Sequence, residues 1–84
     1  MSYEIVIKRR ASKVLANLPN KDYQKIRDAI RELADHPRPQ GCLKLTGREG
    51  WRIRIGNYRV IYQIHDAENK VLILDLGHRR DIYQ

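Results

Sequence analysis

The chain contains little cysteine, and its few histidines lie far apart. Cys42 is its single cysteine, which excludes an intrachain disulfide framework and a cysteine-rich zinc site. His36, His65 and His78 lack the spacing of metal ligands. Serine, cysteine and carboxylate residues form no constellation typical of nucleophilic catalysis. The sequence therefore predicts a protein without a metal or other cofactor, in a reducing, intracellular compartment.

Long apolar runs are absent as well. No segment approaches the roughly 18–20 apolar residues that a membrane-spanning helix needs. Residues 1–5 include an acidic side chain and do not form a secretory signal. We therefore expect a cytoplasmic protein with no membrane partner.

Positive charge, in contrast, is in excess. The chain has 17 lysines and arginines against 10 acidic residues, a formal net charge of +7. Its 84 residues are enough for one domain, spanning 1–84, with no room for a second core. Because there is no basic tail, the charge belongs to the folded body. This charge favours acidic partners, but charge alone does not choose among nucleic acid, an acidic protein and an anionic membrane.

Hydrophobic periodicity predicts the element order β-α-α-β-β-β-β. The first strand is predicted at Tyr3–Ile7 and the first helix at residues 9–17. The second helix is predicted to follow an N-cap at Asn20 and to end at Asp35-His36, before Pro37. Later strands are predicted at Cys42–Leu45, in both arms of Trp51–Tyr62 and at Val71–Leu76. The fold class is α+β, with an N-terminal strand and a helical hairpin packed on one face of a mainly antiparallel sheet of four or five strands.

The stretch from Trp51 to Tyr62 predicts a tight β-hairpin. Apolar and basic residues alternate up to Ile55, and Gly56-Asn57 tolerate the positive φ of a two-residue loop. This loop pairs Ile55 with Tyr58, Arg54 with Arg59, Ile53 with Val60 and Arg52 with Ile61. One face then carries Arg52, Arg54 and Arg59, and the other carries Trp51, Ile53, Ile55, Tyr58, Val60 and Tyr62.

The crowding of charge on one face of this hairpin needs an explanation. Like charges directly opposite each other in a sheet are destabilising, by something within about 0.2–1 kcal/mol per pair. Stability alone does not account for Arg54 opposite Arg59, whereas a polyanion bound to that face does. Tyr58, Tyr62 and Trp51 are expected to pack in the core.

The strand that follows the hairpin raises a question of register. A simple four-residue turn at Asp66–Asn69 places Asp75 opposite Val60, on the core face. Two explanations stay open, a shifted register caused by a bulge or a buried partner for Asp75.

Several other side chains are candidates to join the three arginines. Guanidinium groups bind phosphate through a planar donor fork, and aromatic rings stack on unpaired bases, so single-stranded RNA is the best-matched ligand. His78 is open between a proton carrier at neutral pH and a loop residue. The side chains expected near the arginines are Lys44 from the preceding strand and Arg79, Arg80 and Tyr83 from the C-terminal segment.

These residues also carry a resemblance. The chain resembles the RelE toxins of the RelE/ParE superfamily of bacterial and archaeal toxin–antitoxin systems over nearly its whole length. The matching segments are His36-Pro37-Arg38, Leu43-Lys44-Leu45, Trp51-Arg52-Ile53-Arg54, Gly56–Tyr62 and Gly77–Tyr83.

The resemblance implies an activity and a site. RelE toxins are ribosome-dependent endoribonucleases that cut mRNA in the ribosomal A site, and the implied reaction is a metal-independent attack of the ribose 2′-hydroxyl on the adjacent phosphate. Arg52 and Arg54 match two basic positions where RelE itself carries lysines. Because arginine keeps its proton where lysine can lose one, Arg52 is not expected to be a general base. The candidate catalytic residues are Arg52, Arg54, Arg59, Arg79 and Tyr83, and the candidate RNA-binding residues are Lys44, His78 and Arg80.

The resemblance implies partners as well. Such toxins are held inactive by a cognate antitoxin, here RelB-like and acidic on balance, and the complex binds operator DNA through the antitoxin. The ribosome and mRNA are the other expected partners. Two alternatives remain, a ParE-like inhibitor of DNA gyrase on the same fold and a non-catalytic RNA- or ribosome-binding domain.

Overall fold

The computed structural model describes residues 2–78, and Met1 and residues 79–84 lie outside this range. The described part follows the predicted order of strands and helices. Its elements are β1 (Glu4–Ile7), α1 (Arg9–Ala16), α2 (Asn20–Glu32), β2 (Leu43–Lys44), β3 (Trp51–Ile55), β4 (Tyr58–His65), a 3₁₀ turn at Asp66–Glu68 and β5 (Lys70–His78).

The five strands form one mixed sheet in the order β1-β5-β4-β3-β2. β1 runs parallel to β5, and the other neighbouring strands are antiparallel. α1 packs against β5, and α2 contacts both α1 and β3. The predicted α+β class, with a helical hairpin on a mainly antiparallel sheet, is confirmed. Neither helix of residues 2–78 has the length and apolar character needed to cross a membrane.

The core lies between the helical hairpin and one face of the sheet. Ala11 of α1 and the apolar stripe of α2, Ile26 and Ile30 with Leu33 just beyond, are buried there because their spacing places them on one side of each helix. The opposing sheet residues are Ile53, Val60, Tyr62, Val71, Ile73 and Leu76. The sheet's other face is therefore not covered by the helices.

Both ends of α2 differ from the prediction. The N-cap is Pro19 and not Asn20, which is the first helical residue, and the carbonyl of Pro19 accepts the first hydrogen bond, from the amide of Tyr23 at 2.9 Å. The helix ends at Glu32, and residues 33–35 form turns before Pro37. A proline restricts only the residue before it, so its position sets the latest end of a helix and not the actual one.

The hairpin register is confirmed at every predicted pair. Ile55 lies opposite Tyr58, Arg54 opposite Arg59, Ile53 opposite Val60 and Arg52 opposite Ile61. Gly56 has a φ of +60°, the conformation that the two-residue loop requires. The loop and the alternating pattern thus fix which side chains share a face.

A bulge resolves the position of Asp75. The β4–β5 register shifts between Ile61 and Tyr62, so that Asp75 lies opposite Ile61 and Leu76 takes the place opposite Val60. The first of the two explanations is therefore confirmed, because the extra residue in β5 restores an apolar side chain to the core face. The Asp75 carboxylate also lies 3.5 Å from the guanidinium of Arg10 on α1.

Candidate nucleic-acid interface

Three guanidinium groups share the sheet face that the helices leave uncovered, and we call Arg52, Arg54 and Arg59 the arginine face. Directly paired residues in a sheet point to the same side, and Arg54 is paired with Arg59. Burial of the three differs, because Arg54 is exposed, Arg52 is half-buried and Arg59 is only 6% exposed. Arg59 lies on β4, between β3 and β5, and its neighbour on β5 is Gly77.

The same three arginines line a single cavity of about 380 Å³. Gln40, Gly41 and Leu43 of the segment before β3 also line this cavity, and Ile53 completes the lining. The lining that the structure describes contains no carboxylate and no imidazole. The cavity therefore combines a cluster of positive charge with a partly apolar wall.

Two of the candidate RNA-binding residues, Lys44 and His78, lie on the other face of the sheet. Lys44 is paired with Trp51, so it belongs to the helix-side face, and the prediction that it joins the arginine face is wrong. His78 is paired with Tyr58 and packs edge-to-face on its ring, with centroids 5.6 Å apart, so it too lies on the helix side. Both corrections follow from register, because a shift of one residue exchanges the two faces of a strand.

The remaining predicted site residues cannot be placed. Arg79, Arg80 and Tyr83 lie outside the described residues. Their participation in the site stays a prediction.

The aromatic residues of the hairpin are structural, as expected. Tyr62 is fully buried, and its hydroxyl donates a 2.8 Å hydrogen bond to the carbonyl of Pro37. Burial strongly raises the pKa of the Tyr62 phenol, which stays protonated. Desolvation also raises the pKa of Tyr58, whose hydroxyl lies 3.4 Å from a carboxylate oxygen of Asp22. Trp51 packs on the core and carries the guanidinium of Arg38 at 5.5 Å from its ring centroid.

Gln40 and Leu43 are parts of this cavity that the sequence did not predict. Leu43 lies opposite Arg52, which puts it on the arginine face, and it is 53% exposed. The alternation in Cys42–Leu45 contained this signal, but a strand of two residues gives no register without the structure. Among residues 2–78, no group of three histidine, cysteine or acidic side chains could hold a metal ion.

This arrangement can bind a phosphodiester and stabilise added negative charge on it. A guanidinium donates in a planar fork to phosphate oxygens, and burial of Arg59 strengthens its electrostatic interactions, because the effective dielectric is lower there.

Comparison with known proteins identifies the family. Residues 5–83 match the family model described as the ParE toxin of type II toxin–antitoxin systems, parDE. The chain belongs to this toxin family. Over its full length it is also 26% identical to a protein of Methanocaldococcus jannaschii named as toxin RelE1, of which it covers 98%.

Solved structures agree with this assignment. The chain is similar to the structure of the archaeal RelE–RelB complex from Pyrococcus horikoshii, with a TM-score of 0.84 and 30% identity, covering 96% of this chain and 99% of that one. It is also similar to the toxin–antitoxin complex RelBE2 of Mycobacterium tuberculosis, with a TM-score of 0.82 and 26% identity over 94% and 100% of the two chains. The protein is therefore a RelE-like toxin of the RelE/ParE superfamily.

Proposed function

We propose that this toxin is a ribosome-dependent endoribonuclease that cleaves mRNA in the A site and thereby inhibits translation. The observation that supports the proposal most directly is the convergence of Arg52, Arg54 and Arg59 on one cavity. A polyanion bound there offsets the repulsion between Arg54 and Arg59, which lie directly opposite each other.

The proposed chemistry is attack of a ribose 2′-hydroxyl on the adjacent phosphate. The new 2′-oxygen–phosphorus bond forms as the bond to the 5′-oxygen breaks, leaving a 2′,3′-cyclic phosphate and a 5′-hydroxyl. Negative charge develops on the phosphate oxygens, and Arg59, with Arg79, stabilises it. Arg52 and Arg54 position the RNA, and Tyr83 orients the reacting nucleotide or assists proton transfer.

The lack of a carboxylate or imidazole in the cavity lining of residues 2–78 supports ribosome dependence. Arginine retains its proton at neutral pH, so none of the three arginines of the cavity is suited to remove the 2′-hydroxyl proton. Much of the rate must then come from alignment of the 2′-oxygen with the phosphate, which can supply about 7–11 kcal/mol of the barrier. An mRNA held by the ribosome provides such alignment.

The proposal includes a cognate antitoxin as partner. The toxins of the similar archaeal and mycobacterial complexes are each bound to a RelB antitoxin. With a net charge of +7, this chain favours an antitoxin whose toxin-binding segment is acidic on balance. Operator DNA is then bound through the antitoxin.

The second candidate function is inhibition of DNA gyrase, which the resemblance to ParE implies, and the matching family model is that of the ParE toxin. A gyrase inhibitor has no use for a phosphate-binding cavity on the sheet. The third candidate is binding of RNA or the ribosome without cleavage. In that case the cavity binds phosphate but does not promote the attack of the 2′-hydroxyl.

Primer extension on translated mRNA separates the three functions. Wild-type toxin should give codon-phased cuts, and an Arg59→Ala/Arg79→Ala double variant should give none. Because Arg59 is buried, circular dichroism and capture by the antitoxin must show that the variant is folded. Intact mRNA with gyrase-linked DNA breaks would instead identify a gyrase inhibitor, and inhibited translation with both nucleic acids intact would identify a binder.

A further inference from the structure

The cavity beside the arginine face has a second wall that phosphate binding does not use. Gln40, Gly41 and Leu43 form this wall, and Leu43 is the direct cross-strand neighbour of Arg52. Contacts to phosphate position a nucleic acid, whereas contacts to a base read its sequence. A wall that combines an amide side chain with an apolar one is suited to contact with a base.

The segment that carries Gln40 is held in a defined turn. The amide of Cys42 donates a 3.1 Å hydrogen bond to the carbonyl of Pro39, and Gly41 has a φ of +92°. Positive φ at the third position is typical of a type II turn and favours glycine there. Nothing lies within 4 Å of the place where a Cβ of Gly41 would be, so the turn is open on that side. The backbone of Gln40 thus has a defined conformation in the segment that lines the cavity.

Leu43 follows this turn on the same side of the sheet as the arginines. Among residues 2–78, it and Ile7 are the large hydrophobic side chains that are exposed. Leu43 lies opposite Arg52, so an apolar surface and a guanidinium meet at the edge of the cavity. A base is flat and largely apolar on its faces while its phosphate is charged, and this juxtaposition matches both parts of a nucleotide.

We infer that Gln40 and Leu43 form a nucleobase subsite, which rests on the proposed RNA-cleaving function. Leu43 contacts the face of a base whose phosphate lies on the arginine face, and the Gln40 amide hydrogen-bonds to the edge of that base. Adenine is the expected base. Among the four bases it alone presents a donor beside an acceptor, N6–H and N7, on its Hoogsteen edge, and a glutamine amide complements that pattern with two hydrogen bonds.

The test uses RNA that cannot be cleaved, so that base recognition is measured apart from catalysis. The probes are 2′-O-methyl trinucleotides with adenine, guanine, cytosine or uracil at the central position, titrated into the full chain at one fixed salt concentration. Wild type should prefer the adenine probe about tenfold. Gln40→Ala should reduce this preference to less than about twofold, whereas the matched control Gln24→Ala, an exposed glutamine on α2, should keep it.

Leu43→Ala should weaken binding of all four probes by about fivefold, because the apolar contact does not depend on base identity. Ile7→Ala, which truncates the exposed hydrophobic residue on β1, should leave all four unchanged. Equal behaviour of each variant and its control would overturn the subsite. So would a Leu43→Ala variant that loses only antitoxin binding, which would assign this wall to a protein partner.

Failure of the subsite and failure of the proposed function give different results. If mRNA is cut during translation but Gln40→Ala changes neither the probe preference nor the codons cut, the subsite is overturned and the nuclease stands. If the adenine preference is present and depends on Gln40 while no mRNA is cut, the nuclease is overturned and the subsite stands. A wild-type chain that binds no trinucleotide also overturns the subsite.

Discussion

Arg54 and Arg59 lie directly opposite each other on adjacent strands, with both guanidinium groups on the sheet face that the helices do not cover. Arg54 is exposed, whereas Arg59 is buried, with only 6% of its surface exposed. Selection for stability alone does not favour such a pair, because like charges directly opposite each other destabilise a sheet. The proposed role of the pair in substrate binding has a consequence for stability as well as for activity.

Replacing the exposed arginine, Arg54, should stabilise the protein and reduce its activity. Arg54→Gln should raise the free energy of unfolding by about 0.2–1 kcal/mol in low salt, because like charges no longer face each other, and it should reduce mRNA cleavage. Urea titrations measure the first effect, which should shrink in high salt as the charges are screened. The control is Arg31→Gln, an exposed arginine on α2. An Arg54→Gln variant that is less stable yet fully active would contradict this assignment.

Two glycines of the loop before β3 should differ in their tolerance of a side chain. Gly47→Ala should cost about 1–2 kcal/mol, because the φ of Gly47 is +79° but nothing lies within 4 Å of the added Cβ. Gly50→Ala should cost about 1–3 kcal/mol more, since its Cβ would lie 3.0 Å from the carbonyl oxygen of Tyr62 and 3.2 Å from the Leu45 side chain. Thermal and urea unfolding compare the two. Equal losses would show that the neighbouring backbone moves aside.

Two tyrosines of β4 should respond differently to loss of the hydroxyl. Tyr62→Phe should cost about 1 kcal/mol, because it removes a buried 2.8 Å hydrogen bond to the carbonyl of Pro37. Tyr58→Phe should cost less than about 0.5 kcal/mol, because the hydroxyl of Tyr58 lies at a long 3.4 Å from Asp22. Neither change should alter mRNA cleavage per folded molecule. If folded Tyr62→Phe no longer cleaved mRNA, the Tyr62 hydroxyl would have a role in the reaction and not only in the core.

A surface cluster formed by Asp66, Arg38 and Tyr3 should make the free energy of unfolding depend on pH. The Asp66 carboxylate accepts hydrogen bonds from Arg38 at 2.9 Å and from the Tyr3 hydroxyl at 2.6 Å, and these two contacts, Arg38 first, lower the pKa of Asp66. A lowered pKa means that the unfolded chain takes up the proton first as the pH falls. The stabilisation is therefore present above about pH 4 and is lost below it.

At high pH the same cluster loses a second contribution to stability, that of the Tyr3 hydroxyl. The hydrogen bond to Asp66 raises the pKa of Tyr3, so its contribution is present below about pH 10 and is lost as the pH rises through the raised value. Urea midpoints of wild type and Asp66→Asn should differ most between these limits and converge in acid. Asp35→Asn, at another exposed carboxylate, is the control. A difference that is constant from pH 3 to pH 7 would show that the cluster is not the cause.

The sequence was informative wherever local pattern and turn chemistry acted together. The Gly56-Asn57 loop and the alternation around it were enough to fix all predicted pairs of the hairpin. The bulge before Asp75 could be anticipated as one of two explanations, because a carboxylate on the core face is costly. Choosing between them required the observed pairing with Ile61.

Long-range pairing was less predictable. β2 contains only residues 43–44, so no repeat of the pattern could show that Leu43, and not Lys44, shares a face with Arg52. The side of the sheet on which His78 lies depends on the bulge several residues earlier in β5. For both residues the strand register decides which face the side chain occupies, and this is the property most sensitive to a shift of one residue.

The central claim is that the arginine face serves RNA cleavage on the ribosome. Its most direct test incubates purified toxin and a defined mRNA with and without ribosomes whose A site is empty, and then maps the ends of the products. We expect cuts in the A-site codon only when ribosomes are present, 2′,3′-cyclic phosphate ends, and fewer of these cuts with Arg54→Gln but not with Arg31→Gln. Intact mRNA on such ribosomes, with wild-type toxin that is folded and free of antitoxin, would contradict the claim.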